Sequence, residues 1–299
     1  MKSNMEVAER SRTQPHIIFD IIKELRPKQW TKNLLVFASA LFAGQVLEPS
    51  IFLNALLAFL AFSLMASTIY VINDIFDVEK DKLHPDKCNR PLAREAISIP
   101  MAIVLAVVTF CFSVTLGLMV NGALTVILLI YFVTNLLYSL RLKHVVIIDV
   151  MLIALGFVLR AVAGALAVNG LLTSWFILCT MGLSLFLALG KRRHELKIFN
   201  ENSSSRRKVL DFYSIAMLDQ LMTVVTAVLI MFYSMYSASE GQRMMFTIPI
   251  VLYGIFRYYY LIHMKNAGGK PEDILVSDRH ILGTVLIFCI AIAFIKAFN

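Results

Sequence analysis

The chain has 299 residues, 59% of them hydrophobic and 16% charged, with a formal net charge of +8. Soluble domains carry roughly 25% charged residues, so an ordinary soluble fold is excluded. Cys88, Cys111, Cys179 and Cys289 are scattered without paired spacing, which excludes a disulfide framework or a cysteine zinc site.

Residues 1–15 are polar and read as a disordered tail. From His16 to Leu25, the residues Ile17, Ile18, Ile21, Ile22 and Leu25 share one helical face. That is the pattern of a helix lying along a membrane surface. Arg26-Pro27-Lys28-Gln29-Trp30-Thr31-Lys32 then opens the first of nine apolar runs, roughly 33–47, 51–72, 98–120, 122–141, 145–168, 171–190, 212–236, 245–263 and 280–298. A helix crosses a bilayer in about 20 residues, and the first run is short unless it begins near Arg26. The expected fold is all-α: a polytopic bundle of about nine transmembrane helices with a cytoplasmic-facing active-site cavity. Residues 1–25 are expected to form a tail and interfacial helix, and 26–299 a single catalytic domain. No cleavable signal peptide is expected ahead of the first apolar run.

Of the 28 Lys and Arg, 24 lie in the N-terminal segment or in loops after even-numbered spans. Basic loops stay in the cytoplasm, so the N-terminus is expected inside and the C-terminus outside a bacterial-type inner membrane. The polar loops 73–97, 191–211 and 264–279 then share the cytoplasmic face. Positive charge is mainly a topology signal here, and no nucleic-acid module accompanies it.

The densest polar stretch, Asn73–Pro91, follows the charge-free run Ile51–Ile72 directly. On a continued helix Asp74, Asp77 and Asp81 sit at i, i+3 and i+7, within an arc of about 60°. Three carboxylates on one face repel unless a cation lies between them. A hard divalent ion with oxygen ligands, completed by substrate phosphates, fits that need; Asn73 adds a neutral oxygen. The plain alternative is a solvated acidic helix end.

The sixth span also ends abruptly in charge, at Lys191-Arg192-Arg193-His194-Glu195. The two charged ends suggest a weak internal repeat, an acidic and a basic wall facing each other around a metal–phosphate complex. Flanking charge that only sets topology is the alternative for the basic segment. Lys28 and Lys32, one turn apart, either snorkel to the interface or present two cations to a phosphate. Arg160 lies inside a span, where a charge costs several kcal/mol unless served by a partner. Asp149 on the same helix is about 16 Å away, so a cavity phosphate or another helix must serve Arg160. Tyr138 and Lys143 close the fourth span at the cytoplasmic face.

The Asn-Asp-x-x-Asp-x-x-x-Asp pattern resembles the UbiA-type prenyltransferase superfamily. With Leu25–Asn33, His84–Pro91, Tyr138–Lys143, Gly156–Arg160 and Lys191–Leu196, it is similar to the decaprenyl-phosphate phosphoribosyltransferase branch. Typical superfamily members carry a second Asp-rich motif after the sixth helix; this chain has Lys-Arg-Arg-His-Glu, which suits a donor with more phosphate to neutralise. The resemblance implies magnesium-dependent transfer of 5-phosphoribosyl from phosphoribosyl diphosphate to a polyprenyl phosphate, releasing diphosphate, in cell-envelope synthesis. It implies Asn73, Asp74, Asp77 and Asp81 as magnesium ligands, with the three aspartates catalytic. Lys28, Arg90, Tyr138, Lys143, Arg160, Lys191, Arg192 and Glu195 are implied at the substrate phosphates. A homo-oligomer stays open. The alternatives are prenyl transfer from a prenyl diphosphate to an aromatic or other lipophilic acceptor, and a lipid carrier or transporter. The scarcity of ionisable residues deep in the spans speaks against transport.

Overall fold

A computed structural model describes residues 17–42, 48–84, 87–168, 170, 173–199, 208–265, 268–269, 273–274 and 277–297. The tail at 1–15, the end of the first expected span at 43–47, and Pro85 and Asp86 of the acidic stretch lie outside the described residues. Among the described residues there is no strand, and eight helical stretches are long and apolar enough to cross a membrane. They are α3 (Pro49–Lys82), α4 (Ile99–Val120), α5 (Gly122–Leu140), α6 (Ile148–Ala167), α7 (Ser174–Phe199), α8 (Ile215–Ser239), α9 (Gln242–Met245) continuing into α10 (Ile248–Met264), and α11 (Arg279–Ala297). The protein is an integral membrane protein.

The expected spans and the helices agree to about one turn, with two informative exceptions. At 1.5 Å per residue the 34 residues of α3 reach about 51 Å, well beyond a hydrocarbon layer of about 30 Å. The surplus is the charged segment after Ile72, which therefore projects from the membrane as helix. α7 likewise runs on through Lys191 to Phe199.

The first expected span is built differently from the other eight. Pro27–Phe37 is a 3-10 helix, followed by the short α2 (Ala38–Phe42). A 3-10 helix rises about 2 Å per residue and is narrower than an α-helix. This one packs against both α3 and α6. The fit is close: a Cβ on Gly164 of α6 would fall 2.1 Å from the carbonyl oxygen of Val36.

Side chains that double as caps hold the turns between spans. Asn121 ends α4 and starts α5; its Oδ1 accepts from the Leu124 amide at 2.7 Å, and its Nδ2 donates to the Leu166 carbonyl at 2.8 Å. α3 and α6 form the centre of the bundle, with 61% and 56% of their apolar windows buried, against 11% for α11. Small residues on both (Ala55, Ala58 and Ala61; Ala163, Gly164 and Ala167) let backbones approach, the usual means of packing helices in lipid. Hydroxyls tie α3 to α4, with Ser113 donating to the Ala61 carbonyl at 2.7 Å and Thr68 paired with Thr109 at 2.8 Å.

The interfacial helix α1 (Ile17–Glu24) packs on the protein through its acidic side together with Ile21, and Leu25 after it also turns to the core instead of joining the outward apolar face. Ile17, Ile18, Phe19 and Ile22 are exposed, whereas Asp20 and Glu24 are buried. An apolar face left outward suits a helix lying on lipid. Asp20 is held by an ion pair with Arg94, and Glu24 points toward α3.

Candidate active site

The projecting end of α3 explains why its three aspartates differ. Positions 74 and 81 lie about 20° apart on a helix, and 77 about 60° to one side. Asp74 and Asp81 are accordingly buried, while the Asp77 side chain is 34% exposed and pairs with Lys80 at 3.3 Å. Asn73 is half-buried on the same turn.

Cations do sit between the buried carboxylates, supplied by the chain itself. Arg26 Nη2 donates to both oxygens of Asp74, at 2.6 and 2.5 Å. Arg90 Nη1 donates to Asp74 Oδ1 at 2.9 Å and also to Asp81. Lys87 stands 3.7 Å from Asp81. The loop after α3 folds back to deliver Arg90, anchored by buried Leu92, Ala93 and Ile97.

Arg26 is delivered under backbone strain. It has φ 53° and ψ 57°, although it precedes Pro27 and an L-residue there favours extended backbone. Such a conformation costs about 1–3 kcal/mol. The bidentate contact to Asp74 and a cation–π contact with Tyr70, 5.0 Å to the ring centroid, offset it.

Lys23, Glu24, Arg26, Asp74, Asn89, Arg90 and Pro91 line an open depression of about 240 Å³. Glu24 is 1% exposed, with the Asp74 side chain and the Leu92 backbone as its polar neighbours. Burial, and then the neighbouring Asp74 carboxylate, push its pKa up to about 7.

A second polar cluster sits at the end of α7 and is closed. Arg192 Nε donates to Asp149 at 2.6 Å, Nη1 to Glu195 at 2.5 Å, and Nη2 to the Tyr138 hydroxyl at 3.4 Å. The Tyr213 hydroxyl donates to the other Asp149 oxygen at 2.8 Å and accepts from the Ile147 amide at 2.7 Å. That last bond holds a β-branched residue at φ 69°, a rare conformation for such a side chain. Arg193 pairs with Asp219 at 2.5 Å.

Arg160 forms a third centre, served by another segment and by its own helix. Nε donates to Asn33 Oδ1, Nη1 to the Gly156 carbonyl and Nη2 to the Tyr131 hydroxyl, each at 2.7 Å. Phe62, Tyr131 and Phe157 place ring faces 4.9 to 5.5 Å from the guanidinium carbon, a favourable setting for a buried cation. Asn33 in turn donates to Ser63 at 3.0 Å. The Arg160 centre therefore staples the 3-10 segment to α3, α5 and α6.

Of the residues expected at the site, the fold brings Asp74, Asp81 and Arg90 into direct contact. Asp77 and Asn73 lie beside them on α3. Tyr138, Arg192 and Glu195 gather in the α7 cluster, and Arg160 stands apart. Lys28 is exposed, while Lys143 and Lys191 are half-buried. Glu24 and Arg26 are absent from the sequence-based site, and Asp149 enters it only as a partner too distant for Arg160.

One contact tests whether these residues suit magnesium. A single nitrogen, Arg90 Nη1, reaches both Asp74 and Asp81, so the two carboxylates converge on one cation-sized position. Magnesium is held by one or two carboxylates, with waters and substrate phosphates completing its octahedron. The donor set fits. Among the described residues no three His, Cys, Asp or Glu side chains gather as a metal site, so Asp77 does not join Asp74 and Asp81 there.

Residues 33–272 match the model of the UbiA prenyltransferase family. The decaprenyl-phosphate phosphoribosyltransferase of Corynebacterium glutamicum is 33% identical over 298 residues, covering 95% of this chain and 90% of that protein. The protein of the same name from Mycolicibacterium smegmatis is 31% identical, covering 88% of each. Among solved structures, a UbiA homolog from Archaeoglobus fulgidus bound to DMAPP and Mg2+ has a TM-score of 0.73 at 18% identity, over 93% of this chain and 98% of that one.

Proposed function

Because this chain belongs to the UbiA prenyltransferase family, we propose that it transfers a 5-phosphoribosyl group from phosphoribosyl diphosphate to a polyprenyl phosphate of the decaprenyl type. Diphosphate is the leaving group and magnesium the cofactor. The observation that carries this reading is the convergence of Asp74 and Asp81 on one cation position, filled here by Arg90 with Arg26 beside it. The likeness to phosphoribosyltransferases over most of the chain supports the choice of donor.

Asp74 and Asp81 would hold magnesium, with Asn73 and Asp77 beside them. The bound ion offsets the charge that builds on the departing diphosphate. Arg26 and Arg90 line the same cavity and offer planar donor forks to phosphate oxygens. The bond from the anomeric carbon to the diphosphate oxygen breaks, its electron pair leaving with diphosphate. An acceptor phosphate oxygen forms the new bond to that carbon. This oxygen is already ionised at neutral pH, so no side chain has to remove a proton. Lys28, Lys143 and Lys191 add positive charge at the same polar end and help place two anionic substrates together. Arg160, with Asn33 and Tyr131, and Arg192, with Glu195 and Tyr138, act by positioning helices. The distribution of Lys and Arg puts this end in the cytoplasm, with the polyprenyl tail in lipid.

The test is direct. Purified protein with magnesium, labelled phosphoribosyl diphosphate and polyprenyl phosphate yields a labelled lipid, and chelating the metal stops it. Label entering lipid only from a prenyl diphosphate with a lipophilic acceptor overturns the reading.

A further inference from the structure

We infer that Ser67 is a positioning residue for the reaction: from inside α3 it fixes the strained backbone at Arg26 and so holds that guanidinium at the donor phosphates. The inference rests on the proposed phosphoribosyl transfer, in which Arg26 serves the phosphates. It adds a residue that lies outside both charged clusters.

Three observations carry it. First, one buried hydroxyl is bonded on both sides of Arg26. Ser67 is 0% exposed; its Oγ donates to the Leu25 carbonyl at 2.7 Å and accepts from the Trp30 indole Nε1 at 3.0 Å. An indole N–H can only donate, so the single Ser67 proton goes to Leu25. Second, the Leu25 carbonyl lies in the peptide plane that joins Leu25 to Arg26. Turning that plane changes φ at Arg26, so the bond acts on the strained angle itself. The Arg26 amide donates to the Lys23 carbonyl at 3.2 Å, and the Arg26 carbonyl accepts from the Gln29 amide at 2.8 Å. Third, Ser67 and Asp74 are seven residues apart on one helix, hence on one face and about 10 Å apart along it. With Tyr70 between them, α3 takes in turn the backbone before Arg26, the face of its guanidinium and its donor fork.

The energetics make this more than packing. Arg26 stands at φ 53° before a proline, where extended backbone is preferred. Such a conformation persists only when its surroundings over-determine it. Removing the hydroxyl strands a buried acceptor and a buried donor at once, a penalty of the same order as the strain. The relief open to the chain is to turn the Leu25 peptide toward another donor. That turn returns Arg26 to extended backbone and draws its side chain off Asp74. A serine that only filled space would leave Arg26 where it is.

The experiment uses the full-length protein in detergent or nanodiscs and reads KM and kcat for phosphoribosyl diphosphate separately. A guanidinium that binds phosphate equally before and during the reaction shows in KM. Ser67→Ala is expected to raise KM about 10-fold, the value of a hydrogen bond to a charged group, and to change kcat less than about 3-fold. Arg26→Ala is expected to raise KM at least as much. The double variant is expected to match Arg26→Ala within about 2-fold, because the two residues act as one unit. Ser67→Cys keeps the volume and a weak donor; it guards against a folding defect in the alanine variant and is expected to fall between. Ser113→Ala removes an equally buried hydroxyl, one that ties α4 to α3, and is expected to keep the wild-type KM. A merely structural loss shrinks the active fraction, which lowers kcat and leaves KM alone. That result, or losses at Ser67 and Arg26 that multiply in full, overturns the role of Ser67 while phosphoribosyl transfer stands. Wild type that turns over prenyl diphosphate but no phosphoribosyl diphosphate overturns both.

Discussion

At the end of α3, buried Asp74 is held by Arg26 and Arg90, whose side chains stay 26% and 28% exposed. At the end of α7, Arg192 and Asp149 hold one another at 1% and 0%. Both ends are charged extensions of membrane helices, and in sequence they read as two walls of one site. In the fold they differ in what is left over. The α7 cluster uses all three nitrogens of Arg192 and both oxygens of Asp149 within the protein. The α3 cluster keeps two partly exposed guanidinium groups and a half-open Asp77. Charge density marks both ends, and the partly exposed groups at α3 support the ligand site proposed there. Breaking a closed cluster should cost stability, and breaking the open one should cost turnover.

Asp149→Asn tests the closed cluster and carries the largest expected effect. It strips Arg192 of its buried counter-charge, which costs about 3–5 kcal/mol. The result is a large fall in melting temperature in detergent and a poor folded yield. Replacing both partners, Asp149→Leu with Arg192→Met, should recover most of the loss, because a buried pair exchanges for apolar packing at little cost. A single variant that melts like wild type and instead weakens donor binding would make α7 a substrate wall after all.

At the open cluster, Asp74→Asn and Asp81→Asn should each lower kcat/KM by more than about 100-fold, or about 2.7 kcal/mol, with small changes in melting temperature. Asp77→Asn should fall short of that, since its side chain points away toward Lys80. Equal losses at 77 and 81 would sink the assignment of the cation position to Asp74 and Asp81.

The sequence makes the spans legible because twenty apolar residues in a row leave little choice of structure. It also carries the extension of α3, since Asp74, Asp77 and Asp81 keep helical spacing past the apolar run. What it hides is pairing. Asp149 and Arg192 are 43 positions apart, and no local pattern joins them. Arg160 announces the need for a partner, but Asn33, 127 positions away, carries no charge to suggest itself. For α1 the periodicity identifies two faces without saying which one docks, so Glu24 reads as the solvent side of an amphipathic helix. The 3-10 course of the first span is equally hidden, since the segment's close fit at Gly164 depends on a residue of another helix.

That groove gives a smaller effect. Gly164→Ala drives a methyl into the Val36 carbonyl, and overpacking of this kind costs about 1–3 kcal/mol. Thermal unfolding measures the loss. Because the 3-10 segment follows directly on Arg26, the variant should also lose part of its turnover, in contrast to a variant on the lipid face of α4 such as Val104→Ala. Wild-type melting and turnover in Gly164→Ala would mean that the segment is held elsewhere.

The last test probes the open cluster by pH. The Glu24 pKa rises from 4.5 to about 7 on folding, through burial first and the Asp74 carboxylate second. The folded protein therefore binds this proton more tightly than the unfolded chain does. The stabilisation is fully present below about pH 4.5 and is lost as pH rises through 7. Glu24→Gln cannot ionise and keeps what wild type loses. The melting temperature of the variant relative to wild type should thus climb between pH 5 and pH 8 and level off above. A flat difference for Glu24→Gln would mean that burial and the Asp74 carboxylate do not hold the Glu24 proton.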